Sequence, residues 1–202
     1  IFSMALFTIL GLLAILSVPL TTGKDSWVPA DGGADVNLKN FLNTSSPIWT
    51  LFGVSANQTQ VCKVDRVNNI TDTTVYFTRQ YQSENIRNSS TLLKGEFFDS
   101  SRNQGPSIMR VYTTGGTPVD VEELVYYDQN MTCGIFYTVH LHKYAGQWYD
   151  TCELRVKETS KTANASMECL QKFYDTCQPE TSSIIFILPN TCMTMSLSFL
   201  QK

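Results

Sequence analysis

Apolar and polar residues alternate along most of this chain, and short polar or glycine-containing breaks recur about every 10–16 residues. The alternation predicts eight β-strands, at residues 48–54, 60–67, 73–82, 90–98, 107–112, 119–128, 134–141 and 150–157. Strands at this spacing, with turn residues between them, are typical of an antiparallel sandwich or barrel. The pattern therefore indicates an all-β fold.

One segment near the C-terminus has a different period. Residues 165–177 carry Met167, Leu170, Phe173 and Tyr174 at helical spacing, which predicts an α-helix. Elsewhere the helical signal is confined to one turn around residues 36–42, and residues 183–188 are compatible with a short extra strand.

The chain begins with an apolar run over residues 4–20 that is followed by small residues up to Gly23. This pattern is typical of a secretory signal peptide. A transmembrane anchor is the alternative, but Pro19 and Gly11 weaken a membrane span. We therefore expect a signal peptide at residues 1–23, a single secreted domain at 24–202, and no membrane association after cleavage.

Export to an oxidising compartment favours disulfide bonds between the six cysteines. Six cysteines allow fifteen connectivities, and the absence of a C-x₂-C pair argues against a structural zinc site. The chain also carries six glycosylation sequons, which predict a glycoprotein with its glycans mostly on loops between strands. The sequons are at Asn43, Asn57, Asn69, Asn88, Asn130 and Asn164.

Charge and motifs narrow the function classes. The net charge is −3 and Lys and Arg do not cluster, so nucleic acid binding is disfavoured. The chain has no nucleophile elbow, phosphate loop or zinc-protease helix, which favours a binding protein over an enzyme or a cofactor carrier. His140 and His142 would share one face of a strand, but no Glu or Cys stands at ligand spacing. We therefore expect a solvent-near strand end there, without a metal ion.

Four short segments carry a family resemblance: Tyr126–Asp128, Cys133–Ile135, Cys152–Arg155 and Cys169–Phe173. In this order and spacing they resemble the tick salivary lipocalins of the histamine-binding family. The resemblance implies an eight-stranded antiparallel up-and-down barrel (lipocalin) with one C-terminal flanking α-helix, in agreement with the eight predicted strands. Such a barrel is just wide enough to hold a small ligand.

The same resemblance implies a disulfide pattern. It pairs Cys62 with Cys192 and Cys133 with Cys169, which leaves Cys152 with Cys177.

The resemblance also implies ligand contacts. Glu153, Glu122 and Tyr112 match acidic or aromatic residues that line the cavity of amine-binding relatives. A buried carboxylate binds a protonated amine by a charge-assisted hydrogen bond, and an aromatic face adds cation–π attraction. Trp49 and Arg155 complete the expected ligand-binding set. The implied function is that of a monomeric salivary protein that sequesters a small-molecule host mediator, by family default a biogenic amine such as histamine or serotonin, and so evades host defence.

Three departures from the family pattern change this expectation. Gly134 replaces an Asp, and Arg155 replaces an aromatic residue. The loop at residues 55–60 is shorter than in histamine binders and lacks their acidic and aromatic residues. Residues two apart on a strand share a face, so Arg155 faces the cavity if Glu153 does, and a buried Arg needs an anion. Whether a protein carboxylate or a ligand supplies that anion, histamine binding should be weak. The alternatives are a fatty acid or leukotriene ligand, and a host plasma protein, such as a complement component, bound at the surface.

Overall fold

The computed structural model describes residues 36–54, 62–82, 89–99, 105–143, 148–159, 164–179 and 184–186. The predicted signal peptide, the sequons at Asn57 and Asn88, and Cys192 lie outside these residues.

The described residues form two helices and nine strands. In chain order they are α1 (Leu38–Leu42), β1 (Ile48–Val54), β2 (Cys62–Ile70), β3 (Thr74–Gln82), β4 (Ser89–Asp99), β5 (Pro106–Thr113), β6 (Pro118–Tyr127), β7 (Cys133–His140), β8 (Asp150–Lys157), α2 (Met167–Cys177) and β9 (Ile184–Phe186).

The first eight strands close into an antiparallel barrel. Strands β2 to β8 pair in chain order, and β1 closes the sheet because it pairs with both β8 and β2. The predicted fold class, an eight-stranded antiparallel barrel with a C-terminal helix, is confirmed.

Strand β1 changes partner halfway along its length. Its first residues, Ile48 to Thr50, pair with β2, and its last, Phe52 to Val54, pair with β9. The register with β8 shifts between Thr50 and Phe52, and a bulge of this kind bends a strand and increases its twist. The short strand β9 falls within the predicted segment 183–188.

Strand β2 is longer than its sequence pattern predicts, because it continues to Ile70. Asn69 therefore lies in the strand, paired with Tyr76 of β3, and the expectation that it occupies a loop is wrong. Its side chain is nevertheless exposed.

Helix α1 closes one end of the barrel with apolar side chains. Asn37 caps the helix by accepting a hydrogen bond from the Asn40 amide at 3.0 Å, as N-cap residues do. Phe41 then packs edge-to-face on Phe136, with ring centroids 5.5 Å apart. A Cβ added to Gly134, at the start of β7, would lie only 3.0 Å from the Phe41 ring, so a side chain there would push against α1.

Helix α2 covers the outer face of the barrel at β7 and β8. Its buried side chains are those of Cys169, Phe173 and Thr176, whereas Met167 is exposed although it belongs to the predicted apolar set. Phe173 packs with Trp49 and Leu154 in one apolar cluster. Neither of the two described helices is long and apolar enough to cross a membrane.

Two disulfide bonds attach α2 to the barrel. Cys133 of β7 is bonded to Cys169, and Cys152 of β8 is bonded to Cys177. These are the partners that the family resemblance implies. Cys62 is also disulfide-bonded, and the partner expected for it, Cys192, lies outside the described residues.

Candidate functional site

Charged side chains line the middle of the barrel interior. They come from β2, β3, β6 and β8, and all are buried. We call this group the ionic cluster. Its members are Lys63, Asp65, Arg79, Asp120, Glu122, Glu153 and Arg155.

Arg79 shows that the ionic cluster spans the barrel. Its Nε and Nη2 atoms donate to the two oxygens of Asp65 on the neighbouring strand, at 2.8 and 2.7 Å. It also donates to Glu122 at 2.7 Å and to Asp120 at 3.0 Å. Both of these acids lie on β6, which β4 and β5 separate from β3 in the sheet. These contacts therefore cross the interior.

Arg155 links two of the predicted ligand-binding acids. Its Nε donates to Glu153 Oε2 at 2.7 Å, and its Nη1 donates to Glu122 Oε2 at 2.5 Å. Its Nη2 lies 3.3 Å from the Thr138 hydroxyl. The guanidinium also stacks over the Phe136 ring, 4.2 Å from its centroid. Arg155 is only 1% exposed, so all of its charge is balanced inside the protein.

Lys63 is a second cation on Glu153. Its Nζ donates to both carboxylate oxygens, at 2.9 and 2.8 Å. Burial lowers the pKa of Lys63, and the charges of Arg155 and Arg79 lower it further. The nearby acids oppose this shift.

The two glutamates remain ionised despite their burial. Desolvation by itself raises the pKa of a buried carboxyl group. For Glu153 this effect is outweighed by the charges of Arg155 and Lys63, which bring its pKa below its ordinary value. For Glu122 it is outweighed by Arg155 and Arg79, which hold the pKa well below the ordinary value.

The ionic cluster carries an unequal number of positive and negative charges. Three cations face four carboxylates, so the cluster has a net charge of −1 when every member is ionised and the neighbouring His140 is neutral. Arg79 is shared by three of the four acids. A buried charge without full compensation is costly, so the cluster favours the binding of one further cation.

The end of the barrel opposite α1 is polar. His140, the last residue of β7, lies 2.8 Å from Asp120 Oδ1 through its Nδ1 atom and 3.2 Å from the Thr151 hydroxyl through Nε2. Its ring stacks on Tyr149 with centroids 4.3 Å apart. His140 is buried, so the expectation of a solvent-near strand end is wrong for this residue, whereas His142 is exposed.

The interior thus has three layers along β7. Gly134 and Phe136 lie in the apolar layer beside α1, Thr138 lies beside Arg155, and His140 lies in the polar layer. Six residue steps from Gly134 to His140 span roughly 20 Å.

Three of the five predicted ligand-binding residues come together. Glu153, Glu122 and Arg155 meet in the ionic cluster. Trp49 lies apart from them: it is buried in the apolar cluster under α2, and its indole donates to Glu158 at 2.9 Å. Tyr112 also lies apart. It pairs with Lys94 across β4 and β5, and it alternates with the buried Val111.

The sequence reasoning missed Lys63, Asp65, Arg79 and Asp120. The signal was present, because Lys63 and Asp65, like Glu153 and Arg155, are charged residues two positions apart on one strand. The residues between these pairs, Val64 and Leu154, are also buried. Both faces of these strands are therefore buried. For this reason the alternation of apolar and charged residues does not show which face points into the barrel.

The described sequons are accessible. The side chains of Asn43, Asn69, Asn130 and Asn164 are exposed. Glycosylation of these residues stays a prediction.

Solved structures with the same fold are lipocalins. A deswapped triple mutant of bovine odorant-binding protein is 18% identical, with a TM-score of 0.50, and the match covers 72% of this chain and 93% of that one. A dog lipocalin allergen is 15% identical, with a TM-score of 0.50, and the match covers 71% and 92%. No protein-family model matches the sequence, and no curated protein is significantly similar. At these identities the likeness shows the fold alone, which is that of a lipocalin.

Proposed function

We propose that this protein is a secreted salivary lipocalin that sequesters a small cationic host mediator and so evades host defence. The mediator class is the biogenic amines, of which histamine and serotonin are examples. This proposal combines the lipocalin barrel with the sequence resemblance to the histamine-binding family of tick saliva.

The observation that carries the proposal is the net charge of −1 in the ionic cluster. One protonated amine would neutralise it. Carboxylates that are already ionised bind a cation without first losing a proton, and charge-assisted hydrogen bonds are the stronger class of hydrogen bond.

The same cluster limits the affinity for histamine. Glu153 forms ion pairs with Arg155 and Lys63, and Glu122 forms ion pairs with Arg155 and Arg79. An amine must compete with these cations for acceptor oxygens. We therefore propose that histamine binds weakly, and that the preferred ligand is an amine that needs only one of the four carboxylates.

A lipid ligand fits this interior less well. An acyl chain placed beside the ionic cluster would desolvate charged groups and offer them no hydrogen bonds, which is unfavourable. A fatty acid or leukotriene would also bring a negative charge to a group that already has a net charge of −1.

A second candidate function is the binding of a host plasma protein, for instance a complement component, at the outer surface. It is favoured by the hydrogen bonds within the ionic cluster, because Glu122 and Glu153 already have two cationic partners each. In this case the charged interior would stabilise a scaffold and would bind no mediator.

Calorimetry on the mature, disulfide-bonded protein tests the first proposal. Serotonin, histamine and a leukotriene are titrated under one set of conditions. Saturable amine binding that is tighter than leukotriene binding supports the proposal. Binding of the leukotriene alone, or of none of the three, contradicts it. Native mass spectrometry after exposure to host plasma then detects a protein complex, which would favour the second candidate.

A further inference from the structure

The polar layer brings together three side chains that are suited to metal binding. Asp120 and His140 are paired residues on the neighbouring strands β6 and β7. His142 follows two residues after His140, and the two imidazole rings lie 5.6 Å apart. One potential ligand atom from each of the three residues lies within 4.8 Å of the other two. We propose that Asp120, His140 and His142 bind a divalent transition-metal ion of the Zn²⁺ type.

The donor set defines the class of ion. Two imidazole nitrogens and one carboxylate oxygen suit Zn²⁺ and related ions of borderline softness, whereas Ca²⁺ and Mg²⁺ prefer oxygen ligands alone. Three protein ligands leave one position of a tetrahedral ion open, for water or for a bound molecule.

The geometry requires a small adjustment. Bonds of about 2.0–2.1 Å place the ligands of a tetrahedral zinc ion on the order of 3.3 Å apart. Asp120 and His140 are closer than this, with 2.8 Å between Oδ1 and Nδ1, because one proton now lies between them. His142 must move inward, and its exposed position just beyond the end of β7 allows the side chain to do so.

The neighbouring groups determine which atoms would bind the ion. The Oδ2 atom of Asp120 accepts a hydrogen bond from Arg79 at 3.0 Å, so Oδ1 is the oxygen that faces His140. The Nε2 atom of His140 lies 3.2 Å from the Thr151 hydroxyl, which leaves Nδ1 for the ion. Histidine ligands commonly use their second nitrogen in this way to fix the orientation of the ring.

Electrostatics also favour a cation at Asp120. Among the three acids that contact Arg79, Asp120 has the longest contact, at 3.0 Å, and Arg79 divides its charge among all three carboxylates. Lys63 and Arg155 bond to the glutamates. Asp120 therefore has the fewest contacts with lysine and arginine of the four acids, and its other partner is His140.

Tyr149 supports the arrangement from its outer side. Its ring stacks on His140, and its hydroxyl lies 2.8 Å from His142 Nε2. This contact holds His142 beside the barrel end, where its nearest ligand atom is within 4.8 Å of those of Asp120 and His140.

The test uses the mature protein with its disulfides intact, after treatment with a chelator and removal of that chelator. Zn²⁺ is titrated by calorimetry, and Co²⁺ is used as a probe because its visible absorption reports a four-coordinate site. We expect saturable binding of one Zn²⁺ per chain. His142→Ala should weaken it roughly tenfold or more, because loss of even an outer partner of a metal ligand costs about 10–100-fold. His142 is exposed, so this variant keeps the fold.

Lys143→Ala is the matched control, since Lys143 is the next residue, is also exposed and is not one of the three proposed ligands. It should bind Zn²⁺ like the natural protein. Absence of saturable Zn²⁺ binding by the natural protein would overturn the proposal, as would equal affinity in His142→Ala. Asp120→Asn is a second test, because it keeps the shape of the side chain and removes its negative charge. This variant should lose the four-coordinate Co²⁺ spectrum. Zn²⁺ and amine binding are measured in separate titrations, so the failure of one proposal leaves the other intact.

Discussion

Arg155 Nη1 and Glu122 Oε2 lie 2.5 Å apart, although their strands, β8 and β6, are separated by β7. The same guanidinium also bonds to Glu153. One arginine thus forms ion pairs with both of the acids that the sequence assigns to an amine ligand. The affinity of this interior for amines should therefore depend on Arg155 more than on any aromatic residue.

Replacement of Arg155 tests this dependence. Arg155→Trp removes a buried cation, changes the net charge of the ionic cluster from −1 to −2 when its other members stay ionised, and places an aromatic ring beside Glu153. We expect tighter histamine binding and a lower free energy of unfolding, because the loss of one partner from a buried ion pair costs about 3–5 kcal/mol. Calorimetry with histamine and urea unfolding measure the two effects.

Arg110→Trp is the control for this experiment, because Arg110 is exposed on β5 and the substitution changes the charge equally. It should leave histamine affinity unchanged. Tight histamine binding by the natural protein that stays the same in Arg155→Trp would show that Arg155 does not limit the site.

Lys63 should be energetically coupled to Glu153. Lys63→Met removes one of the two cations on this carboxylate and should lower the free energy of unfolding by about 3 kcal/mol. The loss in the double variant Lys63→Met/Glu153→Gln should be smaller than the sum of the two single losses, because partners in one network are not additive. Urea unfolding of all four proteins gives the coupling energy.

Lys94→Met provides the comparison on the outside of the barrel. Lys94 and Glu96 form an ion pair at 2.8 Å with side chains that are 33% and 36% exposed, and pairs near the surface contribute about 0–1 kcal/mol. A loss as large as that of Lys63→Met would indicate that the methionine, and not the missing buried charge, destabilises the protein.

Stability should depend on pH through Glu153. Because the charges of Arg155 and Lys63 bring the pKa of Glu153 below its ordinary value of 4.5, the folded state binds a proton less readily than the unfolded state. The contribution is therefore complete above this value and is lost as the pH falls below it. Unfolding free energies at about pH 6 and pH 3 should differ less in Glu153→Gln than in the natural protein. An equal difference in both would mean that other groups cause the acid sensitivity.

The bond between Cys152 and Cys177 should stabilise α2 on the barrel. It closes a segment with a sequence separation of 25, and disulfides typically contribute roughly 2–4 kcal/mol. A Cys152→Ser/Cys177→Ser variant should lose about that much stability and retain its barrel, as measured by urea unfolding and circular dichroism. Mass mapping of unreduced peptides checks the pairing, and a peptide linking Cys133 to Cys152 would contradict it.

The sequence predicts the barrel well because its strands are short, regular and separated by turn residues. The period of two also predicts correctly that Glu153 and Arg155 share a face. The pattern does not show which face is inside. Charged residues are mostly found at the surface, whereas in this barrel they lie in the interior. Trp49, which the sequence places among the ligand-binding residues, lies instead on the outer face that α2 buries.

The three side chains that we propose bind a metal ion show a second limit of prediction from the sequence. No Glu or Cys stands at ligand spacing from His140 along the sequence. The carboxylate that lies beside it belongs to Asp120, which is 20 residues away and reaches it through the pairing of β6 with β7. Spacing along one strand does not report ligands that come from its neighbour.

The shared position of Arg79 also restricts how this protein can diverge. Substitution of Arg79 would leave Asp65, Asp120 and Glu122 without their common partner. To keep the protein stable, such a change would require compensating substitutions on the two strands that carry these acids, β2 and β6. Trp49 and Tyr112, which do not contact the ionic cluster, can vary independently of it. The ligand preference of such a barrel would therefore change in steps that involve several residues at once, and only rarely through single substitutions.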